Sequence, residues 1–320
     1  MDARAVPMKF RRQLLKWYDA NKRDLPWRKN KNPYHVWLSE IMLQQTRVAA
    51  VIDYYQRFLQ NFPTVEKLAK AREASVLAAW SGLGYYRRAR MLHAAAKKVS
   101  REYKGIFPKT SSELQKLPGI GRYTSAAIAS IAFDEPIAVV DGNVERVLGR
   151  ISGKHLGGES VWEIANQLLE PNRPGDFNQA MMELGATVCL PHQPMCLVCP
   201  VRNFCRTKGT PARKEKVPSQ RKRTIHYALS PREESVFLVQ RSQTEPLMAG
   251  MWELPELPEM NGDAPEFTLR HSITVTDYTV HVLRKAVPDE ANGKWMSNSK
   301  VVTLPLTGLA RKILRRAGII

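Results

Sequence analysis

The stretch Leu117 to Asp141, LPGIGRYTSAAIASIAFDEPIAVVD, decides how the rest of the chain is read. It opens on a tight turn, Pro118-Gly119-Ile120-Gly121. A helix-like run from Thr124 to Phe133 follows, with small residues at Ala126, Ala127, Ala129 and Ala132, and Asp141 comes directly after the apolar segment Ile137–Val140. Glycines lack a Cβ and let backbone N–H groups approach an anion, and the N-terminus of the following helix adds a favourable dipole. One end of the stretch therefore suits a phosphate, with Gly119 and Gly121 as candidate contacts, while the other presents a carboxylate. The competing reading of these residues alone is a helix–turn–helix packing motif in which Asp141 simply caps a helix over Val144–Arg150.

The surrounding chain carries 320 residues, enough for about two domains with a sizeable core. A hydrophobic content of 43% is ordinary for a globular protein. The charge is not ordinary: 49 Lys and Arg against 30 Asp and Glu give +19, and the isoelectric point lies near 9.9. Such an excess points to a polyanionic partner, with nucleic acid ahead of anionic lipid. No segment reads as a membrane span. The start, MDARAVPMKFRRQLLKW, has no uninterrupted apolar core of a signal peptide, so no membrane partner and a cytoplasmic location are expected, and a monomer.

Residues 8–20 place Phe10, Leu14, Leu15, Trp17 and Tyr18 at helical spacing among Lys9, Arg11, Arg12 and Lys16, an amphipathic helix with a basic face. A Pro-punctuated turn then carries Leu25-Pro26-Trp27-Arg28, where Trp27 and Arg28 suit stacking on and hydrogen bonding to a base, although a surface turn anchored by one Trp is the commoner arrangement. Tyr34 to Phe58 reads as one helix or two abutting ones. Within it Glu40 lies among Val36, Trp37, Leu38, Ile41, Met42 and Leu43. A carboxyl in apolar surroundings has its charged form disfavoured, so its pKa rises towards the value a general acid needs; a Glu on the wet side of the helix is the alternative. Gln44, Gln45 and Thr46 add hydrogen-bonding groups suited to reading or replacing a base. The run WSGLGYYRRARMLHAAA, Trp80–Ala96, sets Tyr85 and Tyr86 beside Arg87, Arg88 and Arg90. That is either a stacking platform with phosphate contacts or a pair of core tyrosines. Trp162 to Ala186 is helical with a break at Pro171, Pro174 and Gly175.

All four cysteines fall within 17 residues, as Cys189-x6-Cys196-x2-Cys199-x5-Cys205. In a long chain with no secretory leader this clustering means a metal centre rather than disulfides, and spacing alone leaves zinc and an iron–sulfur cluster open. Arg206 to Arg223 is strongly basic, with Pro211 and Pro218, and reads as a linker along a polyanion. Beyond it strands are expected at Thr224–Leu229, Ser235–Arg241, Leu269–Val275, Tyr278–Leu283 and Trp295–Val301, with a closing helix at Leu306–Arg316, which together make an α+β domain.

Taken together, LPGIGRYT, VDGNVERV and the cysteine loop occur in the order found in the helix-hairpin-helix DNA glycosylase superfamily, which residues 8–210 resemble. The segments LPWR (Leu25–Arg28), WLSEIMLQQTRV (Trp37–Val48), GLGYYRRAR (Gly82–Arg90) and FNQAMMELGATVC (Phe177–Cys189) resemble its MutY-type adenine glycosylase branch. The resemblance implies a multidomain chain: an all-α helix-hairpin-helix glycosylase domain over 1–210, a linker over 211–223 and an α+β Nudix-like domain over 224–320.

The resemblance also assigns a [4Fe–4S] cluster to Cys189, Cys196, Cys199 and Cys205 in the loop 189–205. It makes Glu40 the acid that protonates adenine and then serves the attacking water, and Asp141 the stabiliser of an oxocarbenium-like sugar. The target base must first leave the stack of double-stranded DNA. Tyr123 stands where strand-cutting relatives carry the Schiff-base lysine, which implies a monofunctional enzyme; Tyr123 is expected to shape the nucleotide pocket or hydrogen-bond Asp141. Arg28 and Gln179 match adenine-reading positions, Tyr85 a residue wedged beside the lesion, and Gln45 a second inserted contact.

The implied substrate is adenine opposite 8-oxoguanine or guanine. A thymine–guanine mismatch glycosylase, or a non-catalytic DNA-binding scaffold, are the rivals. In the C-terminal part Gly250–Pro255 is not followed by the paired-glutamate helix of a hydrolytic Nudix box. The lesion-reading Phe-Ser-His loop of the branch is replaced here by Ile273-Thr274-Val275, of which Thr274 keeps a hydroxyl.

Overall fold

The computed structural model describes residues 5–208, 221–245, 247–258, 263–273 and 276–320. Two compact units emerge. One takes residues 5–69 and 94–208; the other takes 70–93 together with the described residues from 221 to 320. The expected division placed 70–93 with the first domain, but packing groups it with the second unit. The expected linker lies for the most part outside the described residues, and its last three residues, Arg221–Arg223, are already strand.

Eleven α-helices occupy the described residues before the cysteine loop: α1 (Ala5–Asn21), α2 (Pro33–Leu43), α3 (Val48–Asn61), α4 (Val65–Lys70), α5 (Glu73–Trp80), α6 (Arg87–Glu102), α7 (Ser111–Leu114), α8 (Arg122–Phe133), α9 (Gly142–Ser152), α10 (Glu159–Leu168) and α11 (Pro174–Thr187). The continuous pattern from Tyr34 to Phe58 resolves into α2 and α3. Gln45 between them sits at φ 58, a left-handed conformation no helix continues through. Asn32 starts α2 by accepting a hydrogen bond from the Tyr34 N–H at 2.9 Å, and Pro33 occupies the first helical position.

The first unit's core brings α1, α9, α10 and α11 together. Phe10, Leu14 and Tyr18 recur at i, i+4 and i+8 on one face of α1. They are buried with Val144, Val147 and Leu148 of α9 and Phe177, Met181 and Leu184 of α11. Of the two readings of Trp27, the anchor of the turn is the one seen: it is buried and packs edge-on against Tyr55 with ring centroids 5.4 Å apart. α2 lies along α8, whose Ala126, Ala127 and Ala129 are fully buried. Small side chains there allow close approach of the α2 face that carries Glu40.

The second unit is built on strands β1 (Arg221–Leu229), β2 (Pro231–Arg232), β3 (Ser235–Gln240), β4 (Trp252–Glu253), β5 (Glu256–Leu257), β6 (Phe267–Ile273), β7 (Thr276–Arg284) and β8 (Gly293–Ser297), with α12 (Asn298–Val301) and α13 (Gly308–Arg316). One sheet runs β5-β1-β7-β6, with β1 and β7 parallel and both edges antiparallel; the other runs β2-β3-β4, with β8 also paired to β3. Alternate residues Tyr227, Leu229, Val280, Val282 and Leu269 turn inward against Leu309, Ala310, Ile313 and Leu314 of α13. Strands and helices are combined as the sequence led one to expect. The strand expected over Trp295–Val301 is corrected: it ends at Ser297, and Asn298, whose N–H donates to the Glu234 carbonyl at 2.8 Å, begins the short helix α12. Among the described residues no helix is long and apolar enough to cross a membrane.

Candidate active site

Glu40 sits near the end of α2, 6% exposed, facing α8. The Tyr123 hydroxyl, from the first turn of α8, donates to Glu40 Oε2 at 2.7 Å and lies 3.4 Å from Met182 Sδ. Burial pushes the Glu40 carboxyl up to about 7. The Tyr123 hydrogen bond opposes that shift, the charge of Asp141 adds to it and Arg28 opposes it. Burial also holds the Tyr123 phenol well above its ordinary range, so it remains a donor. The contact of the Tyr123 hydroxyl is therefore with Glu40.

The hairpin is what places Tyr123. The chain turns through Gly119 at φ 74, and Gly121 ends it in the N-cap position of α8, with Ser125 N–H donating to its carbonyl at 2.9 Å. One residue beyond Tyr123, the Thr124 Oγ1 accepts from Gln44 Nε2 at 3.3 Å, which ties the α2–α3 corner to the same helix. Gln45 at that corner is exposed and Thr46 half-buried.

Asp141 is the N-cap of α9. Its Oδ1 accepts from Val144 N–H at 2.7 Å and its Oδ2 from Asn143 Nδ2 at 2.8 Å, so both oxygens are oriented. Two side-chain amides, the buried Asn178 and the exposed Asn166, hold the strand-like approach to it. Asn178 accepts from Val139 N–H and donates to the Ile137 carbonyl and to Ser130 Oγ, and Asn166 accepts from Ala138 N–H. Sequence reading passed over Asn178. Its only local signal is an amide inside the otherwise apolar face of α11.

A second cluster anchors Arg28. Its Nε donates to Gln179 Oε1 at 3.1 Å and Nη2 to Glu183 Oε2 at 2.8 Å. Arg23 grips Glu183 through Nε and Nη2 at 2.6 and 2.9 Å. Glu183 is 1% exposed. Burial would raise its pKa, but hydrogen bonds from Arg23 and Arg28 and their charges outweigh it and hold the carboxyl below its usual range. The guanidinium of Arg28 is thereby fixed in position beside Gln179.

In the second unit, the two adjacent tyrosines divide the alternatives between them: Tyr86 is buried and Tyr85 is 47% exposed, at φ 48. Thr274 lies outside the described residues.

The four cysteines are unpaired and half-buried, and all line one pocket open to solvent. Arg150, buried in its wall, donates to Cys189 Sγ at 3.3 Å and to the carbonyls of Leu190 and Pro191; its own Nε is buried without a partner. Burial pushes the Cys199 thiol up to about 11, and the charges of the other three cysteines add to the shift. Among the described residues no three His, Cys, Asp or Glu groups are gathered for a single metal ion. Four unpaired thiols beside a guanidinium form a donor set whose chemistry fits an iron–sulfur cluster. The loop is joined to Asp141: Arg146 donates from Nε to the Cys189 carbonyl at 3.0 Å and from Nη2 to Asn143 Oδ1 at 2.8 Å, and Asn143 in turn holds Asp141.

Residues 38–171 match the family model of the HhH-GPD superfamily base excision DNA repair proteins. The adenine DNA glycosylase of Rattus norvegicus is 54% identical over 214 residues, covering 62% of this chain and 41% of the relative. That of Homo sapiens is 51% identical over 214 residues, covering 62% and 39%. That of Arabidopsis thaliana is 41% identical over 317 residues, covering 83% and 50%. The chain thus spans half or less of the length of these relatives. Among solved structures, a thermostable thymine-DNA glycosylase is similar at a TM-score of 0.61 and 28% identity, covering 65% of this chain and 99% of that one. A trapped endonuclease III–DNA covalent intermediate shares the fold at a TM-score of 0.56 and 23% identity, covering 65% and 98%.

Proposed function

We propose that the chain is a monofunctional adenine DNA glycosylase, on the match of residues 38–171 to the HhH-GPD superfamily model and on the identity shared with adenine DNA glycosylases. Its substrate is adenine paired with 8-oxoguanine, or with guanine, in double-stranded DNA. The observation that carries the reading is Glu40: a buried carboxyl with a pKa near 7, hydrogen-bonded by Tyr123, in the field of a second, capped carboxylate.

The chemistry follows from that pair. Adenine is a poor leaving group as an anion, so Glu40, protonated at neutral pH, transfers its proton to a ring nitrogen of the extruded base. The electron pair of the C1′–N9 bond leaves with the base, and positive charge develops on the sugar. Asp141, held at both oxygens, faces that charge. Water adds at C1′ and gives its proton to the Glu40 carboxylate, leaving an abasic sugar and neutral adenine and restoring the acid. Tyr123 keeps the Glu40 oxygen oriented and has no amine with which to form a Schiff base, so the backbone is left intact. Arg28, locked by Glu183 and paired with Gln179, supplies directed donors for the base edge. Cys189, Cys196, Cys199 and Cys205 would hold a [4Fe–4S] cluster, whose iron–thiolate bonds pin the loop that Arg146 joins to Asn143 and Asp141. The C-terminal unit is the Nudix-like part of this reading and would inspect the base opposite the adenine.

Incubation with duplexes carrying A opposite 8-oxoG, A opposite G, A opposite T and T opposite G tests the assignment. Strand breaks at A opposite 8-oxoG that appear only after alkali, and fall about a hundredfold or more in Glu40→Gln and Asp141→Asn, are expected. Faster processing of T opposite G would place the chain with thymine-excising enzymes instead.

A further inference from the structure

Tyr85 is presented by a loop that is strained and yet fully determined. Gly82 and Gly84 stand at φ 106 and 72, and Tyr85 itself at φ 48, a conformation rare for an aromatic residue. From below, Trp80 Nε1 donates to the Gly84 carbonyl at 3.1 Å, and Arg88 Nη2 donates to the Leu83 and Gly84 carbonyls at 3.2 Å each. The Arg88 guanidinium stands 5.5 Å from the Tyr85 ring centroid and 5.4 Å from that of Trp80. These contacts are local and would be available to the segment alone.

A third set is not local. The Leu306 carbonyl, 220 and more residues away, accepts from Ser81 Oγ at 2.7 Å and from the Tyr86 hydroxyl at 3.1 Å. The Tyr86 oxygen in turn accepts from Gly82 N–H at 3.2 Å, and Ser81 Oγ accepts from Arg311 Nε at 2.9 Å. Ser81, Tyr86 and Leu306 are all buried. Leu306 is not free to drift: Trp252 N–H donates to the Pro305 carbonyl at 2.9 Å and Thr307 N–H to the Trp252 carbonyl at 3.0 Å, a bridge that fixes residues 305–307 to β4. Both residues that flank the glycine turn, Ser81 before it and Tyr86 after Tyr85, therefore hang from one backbone carbonyl of the C-terminal segment.

We propose that Ser81, Tyr86 and Arg311 are positioning residues. Through the Leu306 carbonyl, the C-terminal segment holds the Gly82–Tyr85 turn in the conformation that drives the Tyr85 ring between bases of the duplex. The inference rests on the reading of Tyr85 as a DNA-wedging residue of a glycosylase. A buried carbonyl left without its donors, or a hydroxyl without its acceptor, relaxes the turn, because an unsatisfied buried polar group is costly and the strained φ at Tyr85 is no longer over-determined. The C-terminal unit thereby governs unstacking of the substrate through this loop, separately from any contact of its own with a base.

The test uses the full chain and a duplex with a non-cleavable adenine analogue opposite 8-oxoguanine, with 2-aminopurine next to the oxidised base as a fluorescent reporter of unstacking. Tyr86→Phe and Ser81→Ala each remove a single hydroxyl; Ser81→Thr restores the donor, and Tyr85→Ala defines the signal lost when no wedge is present. On enzyme binding, the 2-aminopurine signal is expected to fall in Tyr86→Phe and Ser81→Ala most of the way to the Tyr85→Ala level. Affinity should weaken about tenfold, the single-turnover rate at saturating enzyme should stay within about twofold of the parent, and Ser81→Thr should recover the signal. Parent-like fluorescence in both hydroxyl deletions overturns the positioning role while leaving the wedge intact. A collapse of the single-turnover rate together with the signal, not rescued by Ser81→Thr, also overturns it, since general misfolding then accounts for the loss. If Tyr85→Ala itself leaves the signal unchanged, the wedge reading fails, and this inference with it.

Discussion

A carboxyl kept at a pKa near 7 is a burden on the folded state, and Glu40 carries that burden in measurable form. Its ordinary value is 4.5 and its folded value about 7, so between these pH values the folded chain holds a proton that the unfolded chain releases. Stability therefore declines as pH rises through this window, by up to about 3 kcal/mol for a shift of this size. Glu40→Gln keeps an oxygen for Tyr123 and has no charge to bury. It is expected to match the parent at pH 4 and to exceed it by on the order of 3 kcal/mol at pH 8, in denaturant unfolding at both pH values; an equal difference at the two would contradict burial as the source of the shift. Glu40 was legible because its apolar neighbours are adjacent in sequence. The capping role of Asp141 was legible for the same reason, since an N-cap is read within three residues. Glu183 was not: what makes it a fixed anion is Arg23 and Arg28, 160 and 155 residues away.

At the scale of elements, α9 and α11 must approach closely for Asn143 to reach Asp141 while Arg146 spans to the Gly185 and Cys189 carbonyls. Gly185 makes that approach possible: a Cβ there would lie 2.6 Å from Asn143 Cβ and 3.2 Å from its Cα. Gly185→Ala is expected to push α9 away, with a loss of about 1–3 kcal/mol in stability and a drop in excision rate, because backbone and a short side chain cannot yield as a long one would. Gly157→Ala, where a Cβ meets nothing within 4 Å, serves as the comparison and should stay within about 0.5 kcal/mol of the parent. Thermal unfolding and single-turnover assays of the pair decide the point; equal behaviour of the two variants would refute the packing argument. Helical periodicity announced α9 and α11 but not which faces meet, because that depends on a pairing of distant surfaces. The position of the break at Gln45, between the two abutting helices the sequence allowed, and the conversion of residues 298–301 from strand to helix were hidden for a related reason: each turns on one backbone conformation that side-chain patterning does not encode.

Over the whole molecule, a surplus of 19 positive charges sets how the chain meets a polyanion. If DNA is that partner, phosphate contacts release counterions, and affinity should fall linearly on logarithmic axes of binding against salt, by about a hundredfold or more between 50 and 200 mM, on matched and mispaired duplexes alike. A flat dependence in titrations of either duplex would mean that the charge serves another surface. Charge excess and the cysteine spacing were plain in the sequence because they are sums and intervals. The grouping of residues 70–93 with the C-terminal unit was not, since it is made by hydrogen bonds such as Ser81 to Leu306 across 225 positions. The measurement that bears most directly on the central claim is the pH dependence of kcat/KM on A opposite 8-oxoG, which reports groups of the free enzyme. A rate that falls above a pKa close to 7, with the falling limb removed along with most of the activity in Glu40→Gln, is expected. A profile that stays level from pH 6 to 9, or one whose falling limb survives in Glu40→Gln, would contradict the assignment of Glu40 as the buried general acid.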